Sequence, residues 1–246
     1  MKVVLLGSTG YHPNDLRQTA CFMLPEVGVV LDAGTGFYRV RDRLQTPDLD
    51  IFLTHAHLDH TVGLTFLLDV LVDRQSTRVT VHGEAPKLEA IKHHLLNPLL
   101  FPVGLPCSYR PLEGPVELAD GGKLSHFPVE HPGGSTGFRL DWPGHSLAYV
   151  TDTIANPEAD YVEHIKGVDL LLHECYFPDR EKEFAILTGH SNITPVAEVA
   201  KAAGVGKLVL VHVWPLPNTD DPVGVETARA IFKNTELGRD LDEYEF

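Results

Sequence analysis

Cysteine is scarce in this chain: Cys21, Cys107 and Cys175 are odd in number and far apart, which suits reduced thiols better than a disulfide framework. No apolar run approaches the length of a membrane span, and the opening stretch Met1 to Gly7 is too short for a signal peptide, so a cytoplasmic protein is expected. Basic residues are also in short supply. Twenty Lys and Arg face 34 Asp and Glu, a formal charge of −14, and such a surface opposes a polyanion bound through its phosphates. The one basic stretch, Arg39-Val40-Arg41-Asp42-Arg43, reads as the solvated face of a short helix. Neither glycine-rich turn, Gly7-Ser8-Thr9-Gly10 or Gly34-Thr35-Gly36, completes a P-loop or a dinucleotide fingerprint. Low-complexity and linker segments are missing too.

What is present fits one domain over residues 1–246, with 43% hydrophobic content to fill a layered α/β core. Strand-like apolar runs alternate with helical patterns over Val62 to Val72, Pro86 to Leu96 and Pro195 to Ala203. The strands come in antiparallel-looking clusters as well as singly before helices, which favours mixed sheets between helices over a doubly wound parallel sheet. The stretch Leu95 to Pro115, rich in Pro and Leu, breaks the periodicity and reads as a loop near a site or as an oligomer contact.

The most informative segment is Thr54-His55-Ala56-His57-Leu58-Asp59-His60, directly after a buried strand read at Asp50 to Leu53. The pattern H-x-H-x-D-H offers imidazoles two residues apart, which can chelate one ion, and an Asp59-His60 pair able to reach a second. Imidazole and carboxylate together suit Zn²⁺ and also accept Mn²⁺ or Fe²⁺, and no thiol lies nearby to suggest a structural zinc site.

With this motif the chain resembles the metallo-β-lactamase fold superfamily, over nearly its whole length. The resemblance implies a four-layer αβ/βα sandwich, two mixed β-sheets between outer helices, with the metal site at one edge between the sheets. It implies further ligands at strand ends: His131 before Pro132-Gly133-Gly134, Asp152 after Ser146 to Thr151, and His212 after Lys207 to Val211. His126 competes with His131, which is preferred because the following glycines match the family's sharp turn. On this reading His55, His57 and His131 hold one metal, Asp59, His60 and His212 the other, and Asp152 bridges them. The strand Val29 to Leu31 leads into Asp32, expected as a buried residue organising the loop beneath.

Asp169 to Phe177, with Glu174 inside it, and Gly189-His190-Ser191-Asn192 resemble the tRNase Z side of the superfamily and its phosphodiesterase relatives. The resemblance implies that Glu174 orients and charges His190, which protonates the leaving oxygen, while Asp59 orients the attacking water. Ser191 or Asn192 is also the expected cap of the next helix. The chain departs from tRNase Z in two places. Pro13-Asn14-Asp15-Leu16-Arg17-Gln18 stands where P-x-K-x-R-N is usual, and His212 leads into an apolar and then acidic loop, Val213 to Asp221, in place of Ser, Arg and Tyr. No long basic, glycine-rich insertion is present to grip tRNA. The expectation is a dinuclear metal-dependent hydrolase acting on a small or nucleotide-type phosphodiester. The alternatives are a tRNA 3′-processing endoribonuclease and a thioester, lactone or lactam hydrolase, with a homodimer plausible by family analogy. Tyr176, Phe177 and Trp214 are candidates for an apolar wall against a base or aryl group.

Overall fold

The computed structural model describes residues 1–74 and 77–246. Among the described residues, fourteen strands form two seven-stranded sheets. In the first, β1 (Lys2–Gly7), β2 (Cys21–Leu24) and β3 (Val29–Leu31) pair antiparallel in succession, and β4 (Asp48–Phe52), β5 (Arg78–Gly83) and β6 (Ser108–Pro111) then add in parallel. The second sheet repeats this plan. β7 (Val116–Glu117), β8 (Lys123–Val129), β9 (Ser135–Trp142) and β10 (His145–Val150) form an antiparallel run, and β11 (Leu170–Glu174), β12 (Lys207–Val211) and β13 (Thr235–Leu237) continue it in parallel. The last strand, β14 (Glu243–Glu245), returns to the first sheet beside β1. No internal sequence repeat announces this topological one.

Residue alternation explains the layering. Val3 and Leu5 of β1 face the core between the sheets, while Val4 and Leu6 face the outer helices, and Leu147 and Tyr149 against Ala148 and Val150 do the same in β10. Both faces of each sheet are thus covered, as parallel strands require. On the first sheet lie α1 (Leu58–Thr61), α2 (Leu67–Val70) and α3 (Ala85–Ala90). On the second lie α4 (Tyr161–His164), α6 (Ile193–Ala203) and α7 (Val225–Ile231), with α5 (Lys182–Thr188) near the site edge. The helical pattern from Val62 is wound as a 3₁₀ segment, Val62–Phe66, before α2, and that from Pro86 as α3 followed by a wider π turn, Ile91–Leu95.

Two expectations from the sequence need correction. Arg39 is not on a solvated helix face: its Nη1 donates to Leu6 O at 2.6 Å and to Asp240 Oδ2 at 2.5 Å, and Asp240 also accepts from the Ser8 and Gln18 backbones. The charge run is partly an internal strut that fastens the loop after β1. Of the two readings of Leu95 to Pro115, the loop near the site is the one to correct: none of its residues lines the metal cleft, and Ser108–Pro111 forms the edge strand β6, while Leu99, Leu100 and Val103 are exposed.

Candidate metal centre

The parallel strands of both sheets end at one edge, and the polar residues beyond them meet there, the usual place for ligands at the carboxyl ends of an α/β sheet. Asp32 follows β3, His55 and His57 follow β4, Asp59 and His60 stand in the first turn of α1, and His131 lies past β8. Asp152 lies past β10, Glu174 closes β11, and His212 follows β12. Tyr11, Asp32, Asp152 and His212 have left-handed backbones, with φ of 58°, 58°, 52° and 50°. Such angles cost on the order of 1–3 kcal/mol each for these residue types and tend to gather at functional sites.

Asp152 divides its carboxylate between two groups of imidazoles. Oδ1 lies 3.7 Å from His55 Nε2 and 3.5 Å from His131 Nε2, while Oδ2 lies 3.1 Å from His60 Nε2 and 3.5 Å from His212 Nε2. His57 joins the first group within ligand-sharing distance, and Asp59 joins the second, its Oδ2 lying 3.4 Å from His60 Nε2 and 3.3 Å from His212 Nε2. All seven residues named as metal ligands are thereby brought together. His126 is not: it sits within β8 opposite Phe138, outside the cluster.

These donors fit a pair of divalent cations. His55 Nε2 is buried, aimed into the cluster and without a hydrogen-bond partner, and His60 Nε2 and His212 Nε2 point at each other across 3.1 Å. Nitrogens converging in this way call for a proton or a metal cation between them. Three of the opposite ring nitrogens are held as metal-binding imidazoles usually are, while His212 Nδ1 is buried without a partner. His60 Nδ1 meets Asp32 Oδ2 at 2.7 Å, His131 Nδ1 meets Gly189 O at 3.0 Å, and His55 Nδ1 meets Thr54 Oγ1 at 3.0 Å.

Electrostatics agree with this demand. Burial, then the neighbouring His60, holds His55 well below the ordinary imidazole range, and burial also lowers His57 and His131. Burial opposes charge on His60, but Asp59, Asp152 and Asp32 outweigh it and hold this imidazole well above its ordinary value. Burial likewise opposes ionisation of Asp59 and Asp152, yet the surrounding histidines keep both carboxyls well below the usual range.

Glu174 is completely buried and fixed by backbone donors, Thr153 N at 2.5 Å and Ser191 N at 3.2 Å. Both its oxygens lie 3.3 Å from His190 Nδ1. Burial works against protonation of His190, but Glu174 outweighs it and the imidazole is pushed up to about 9. Its ring stacks on Tyr176 at 4.5 Å and borders the same 750 Å³ cleft as His57, Asp59 and His131.

Several contributors were not evident in the sequence. Tyr11 donates its backbone N–H to Asp59 Oδ2 at 2.7 Å, and Tyr149 OH donates to Asp32 Oδ2 at 2.9 Å. Gly10 lies so close beneath the His212 ring that a Cβ there would overlap it. The expected caps of α6 are replaced. Thr194 N donates to Asp179 Oδ1 at 3.0 Å, while Ser191 Oγ donates to Thr153 O at 2.7 Å and so braces the loop after Asp152. The only available signal was the turn-forming Gly-Ser-Thr-Gly run before Tyr11.

Fold and site together define the class, that of the metal-dependent hydrolases with the metallo-β-lactamase fold. The chain belongs to the β-lactamase superfamily, whose family model, described as "Beta-lactamase superfamily domain", matches residues 28–213. It is 41% identical over 109 residues to a ribonuclease Z of Prochlorococcus marinus (strain MIT 9313), a match covering 43% of this chain and 34% of that relative, so this chain spans about a third of that protein there. A longer match joins 98% of this chain to 95% of a ribonuclease Z of Synechococcus sp. (strain WH7803) at 27% identity. The solved structure of the metallo-β-lactamase fold protein YhfI from Bacillus subtilis superposes with a TM-score of 0.81, covering 100% of this chain and 99% of that one at 19% identity. Among the described residues no helix is long and apolar enough to cross a membrane.

Proposed function

We propose that this protein is a dinuclear metal-dependent phosphodiesterase that cleaves a small or nucleotide-type diester, with His190 as general acid. The observation that carries the reading is the placement of the Glu174-held His190 on the same cleft as the divided carboxylate of Asp152. His55, His57 and His131 would hold one ion, Asp59, His60 and His212 the other, with Asp152 shared. Zn²⁺ is our first choice, and Mn²⁺ and Fe²⁺ accept the same donors. When bound, such a pair acidifies water and offsets charge growing on a phosphoryl oxygen.

The chain's own residues account for the remaining roles. Asp59, steadied by the Tyr11 N–H, accepts a hydrogen bond from the attacking water and orients it. Glu174 accepts from His190 Nδ1, which fixes the tautomer and leaves Nε2 to donate to the departing oxygen. A poor alkoxide leaving group needs that proton; a thioester needs it less.

A small substrate is favoured by the cleft walls, since none of the described residues lining it is Lys or Arg, and by the charge of −14. The alignment with the Synechococcus relative runs to 309 positions on a 246-residue chain, so that relative carries insertions without counterpart here. Maturation of tRNA 3′ ends is the second reading, favoured by the relatives' name, ribonuclease Z. The test is a side-by-side rate measurement of metal-replete protein on a precursor tRNA and on bis(4-nitrophenyl) phosphate, with chelated protein as control. Diester cleavage with inert tRNA supports the first reading, accurate tRNA cleavage the second, and silence on both removes phosphodiester chemistry.

A further inference from the structure

A second cavity, of 340 Å³, opens beside the metal cleft, and Tyr11, Thr188 and His190 line both. Beyond His190 its walls are mainly aromatic and apolar. Phe177 packs between Phe184 at 5.3 Å and Trp214 at 5.2 Å, and Leu216 stands at the rim. None of the described residues lining it is Lys or Arg, so nothing there pairs with a second phosphate. Of its polar groups, Thr188 Oγ1 donates to Phe184 O at 2.8 Å, and His12 Nδ1 meets Pro13 O at 2.9 Å. The cavity offers chiefly flat aromatic faces.

We infer that this cavity is the leaving-group subsite and takes an aryl or similarly flat hydrocarbon ring attached to the departing oxygen. The inference rests on the phosphodiesterase reading and deepens it. His190 stands on the boundary between the two spaces, so the oxygen it protonates must lie at that boundary. The phosphoryl group then faces Asp59 and Asp152, and the substituent on the departing oxygen extends past His190 into the apolar side. Water oxygen bonds to phosphorus, the bond from phosphorus to the leaving oxygen breaks, and that oxygen takes its proton from His190. The proton lost by water restores the imidazole, so one aryl diester and one water give a monoester and a phenol. A further nucleotide phosphate in the leaving strand would enter a space with no Lys or Arg to meet it.

The test uses metal-replete protein and two ethyl phosphodiesters with activated leaving groups, one 4-nitrophenyl and one trifluoroethyl. Comparing each variant with the parent on the same substrate cancels the intrinsic reactivity of the leaving group. Phe184 and Leu216 are 46% and 67% exposed, so trimming them spares the core. In Phe184→Ala/Leu216→Ala the loss in kcat/KM for the aryl diester should exceed that for the trifluoroethyl diester by roughly tenfold, the scale of lost apolar pocket contacts. Equal losses overturn the subsite. Equilibrium dialysis with 4-nitrophenol gives a readout independent of turnover: binding should weaken at least several-fold in the same variant, and unchanged binding overturns the proposal. Should neither diester be hydrolysed by the parent, the phosphodiesterase reading fails while the dialysis still decides whether the cavity holds an aryl ring. Leu216→Ala alone serves the same comparisons if the double variant does not fold.

Discussion

Asp32 Oδ2 lies 2.7 Å from His60 Nδ1, and the same buried carboxylate accepts from Thr54 N at 2.8 Å and Tyr149 OH at 2.9 Å. One residue outside the proposed ligand set therefore orients an imidazole and ties the two sheets together above the core. Asp32→Asn, which keeps the shape and removes the charge, should weaken metal affinity about 10- to 100-fold. Competition with a chromophoric chelator measures this, and an unchanged affinity would show that His60 is oriented by its other neighbours.

His190→Ala should leave metal content intact and lower turnover of the trifluoroethyl diester, whose departing alkoxide needs a proton, by about 10²- to 10⁴-fold, the range for loss of a general acid. Elemental analysis and initial rates on the same preparation separate the two effects. An unchanged rate would remove the argument for phosphoryl chemistry and bring thioester and lactone substrates forward.

Asp179 caps α6 from a distance, accepting from Asn192 Nδ2 at 2.6 Å, Thr194 N at 3.0 Å and Thr194 Oγ1 at 2.6 Å. Burial is the largest single influence and raises its pKa, but the Thr194 and Asn192 hydrogen bonds together outweigh it and hold the carboxyl below its ordinary value. A carboxylate with a lowered folded pKa stabilises fully above its unfolded pKa, about 3.9, and loses that stabilisation as pH falls through the folded value. Asp179→Ala should cost about 1 kcal/mol at neutral pH. The gap in Tm between parent and variant should hold from pH 7 to about pH 5 and narrow below about pH 4. A gap independent of pH would mean that the charge contributes nothing.

Asp240 accepts from Arg39 Nη1 at 2.5 Å, Ser8 N at 3.0 Å and Gln18 N at 2.8 Å, and so pins both ends of the loop that carries Gly10 and Tyr11. Asp240→Ala strands a partly buried guanidinium and two backbone donors. We expect a loss of about 3 kcal/mol in urea unfolding, the scale for removing one partner of such a pair. A loss under about 1 kcal/mol would show that water replaces the carboxylate readily.

The centre was legible where chemistry is compressed into short sequence. His55, His57, Asp59 and His60 are recognisable by spacing alone, and His131, Asp152 and His212 by order once a fold family is in view. Glu174 and His190 were legible only through the resemblance, because they lie 16 residues apart and nothing local joins them. The unread part consists of backbone groups and long-range partners. Tyr11 serves Asp59 through its N–H, which any residue but proline carries, and Asp179 replaces the adjacent Asn192 as cap because the chain folds back there. Arg39 looked solvated because its partner Asp240 lies 201 positions away. Patterns of three or four residues report local periodicity and are blind to such pairs.

The two-sheet plan has a last consequence. The first half supplies His55, His57, Asp59 and His60, and the second supplies His131, Asp152, His190 and His212, so neither half can assemble the centre alone. An ion gripped from both sides would act as a reversible cross-link across the interlayer seam, closing a long loop much as a disulfide does in chains that have one. Cys21, Cys107 and Cys175 are free, so the described residues hold no disulfide to do this work. Melting temperature should then follow occupancy, giving a gauge of loading that needs no substrate at all.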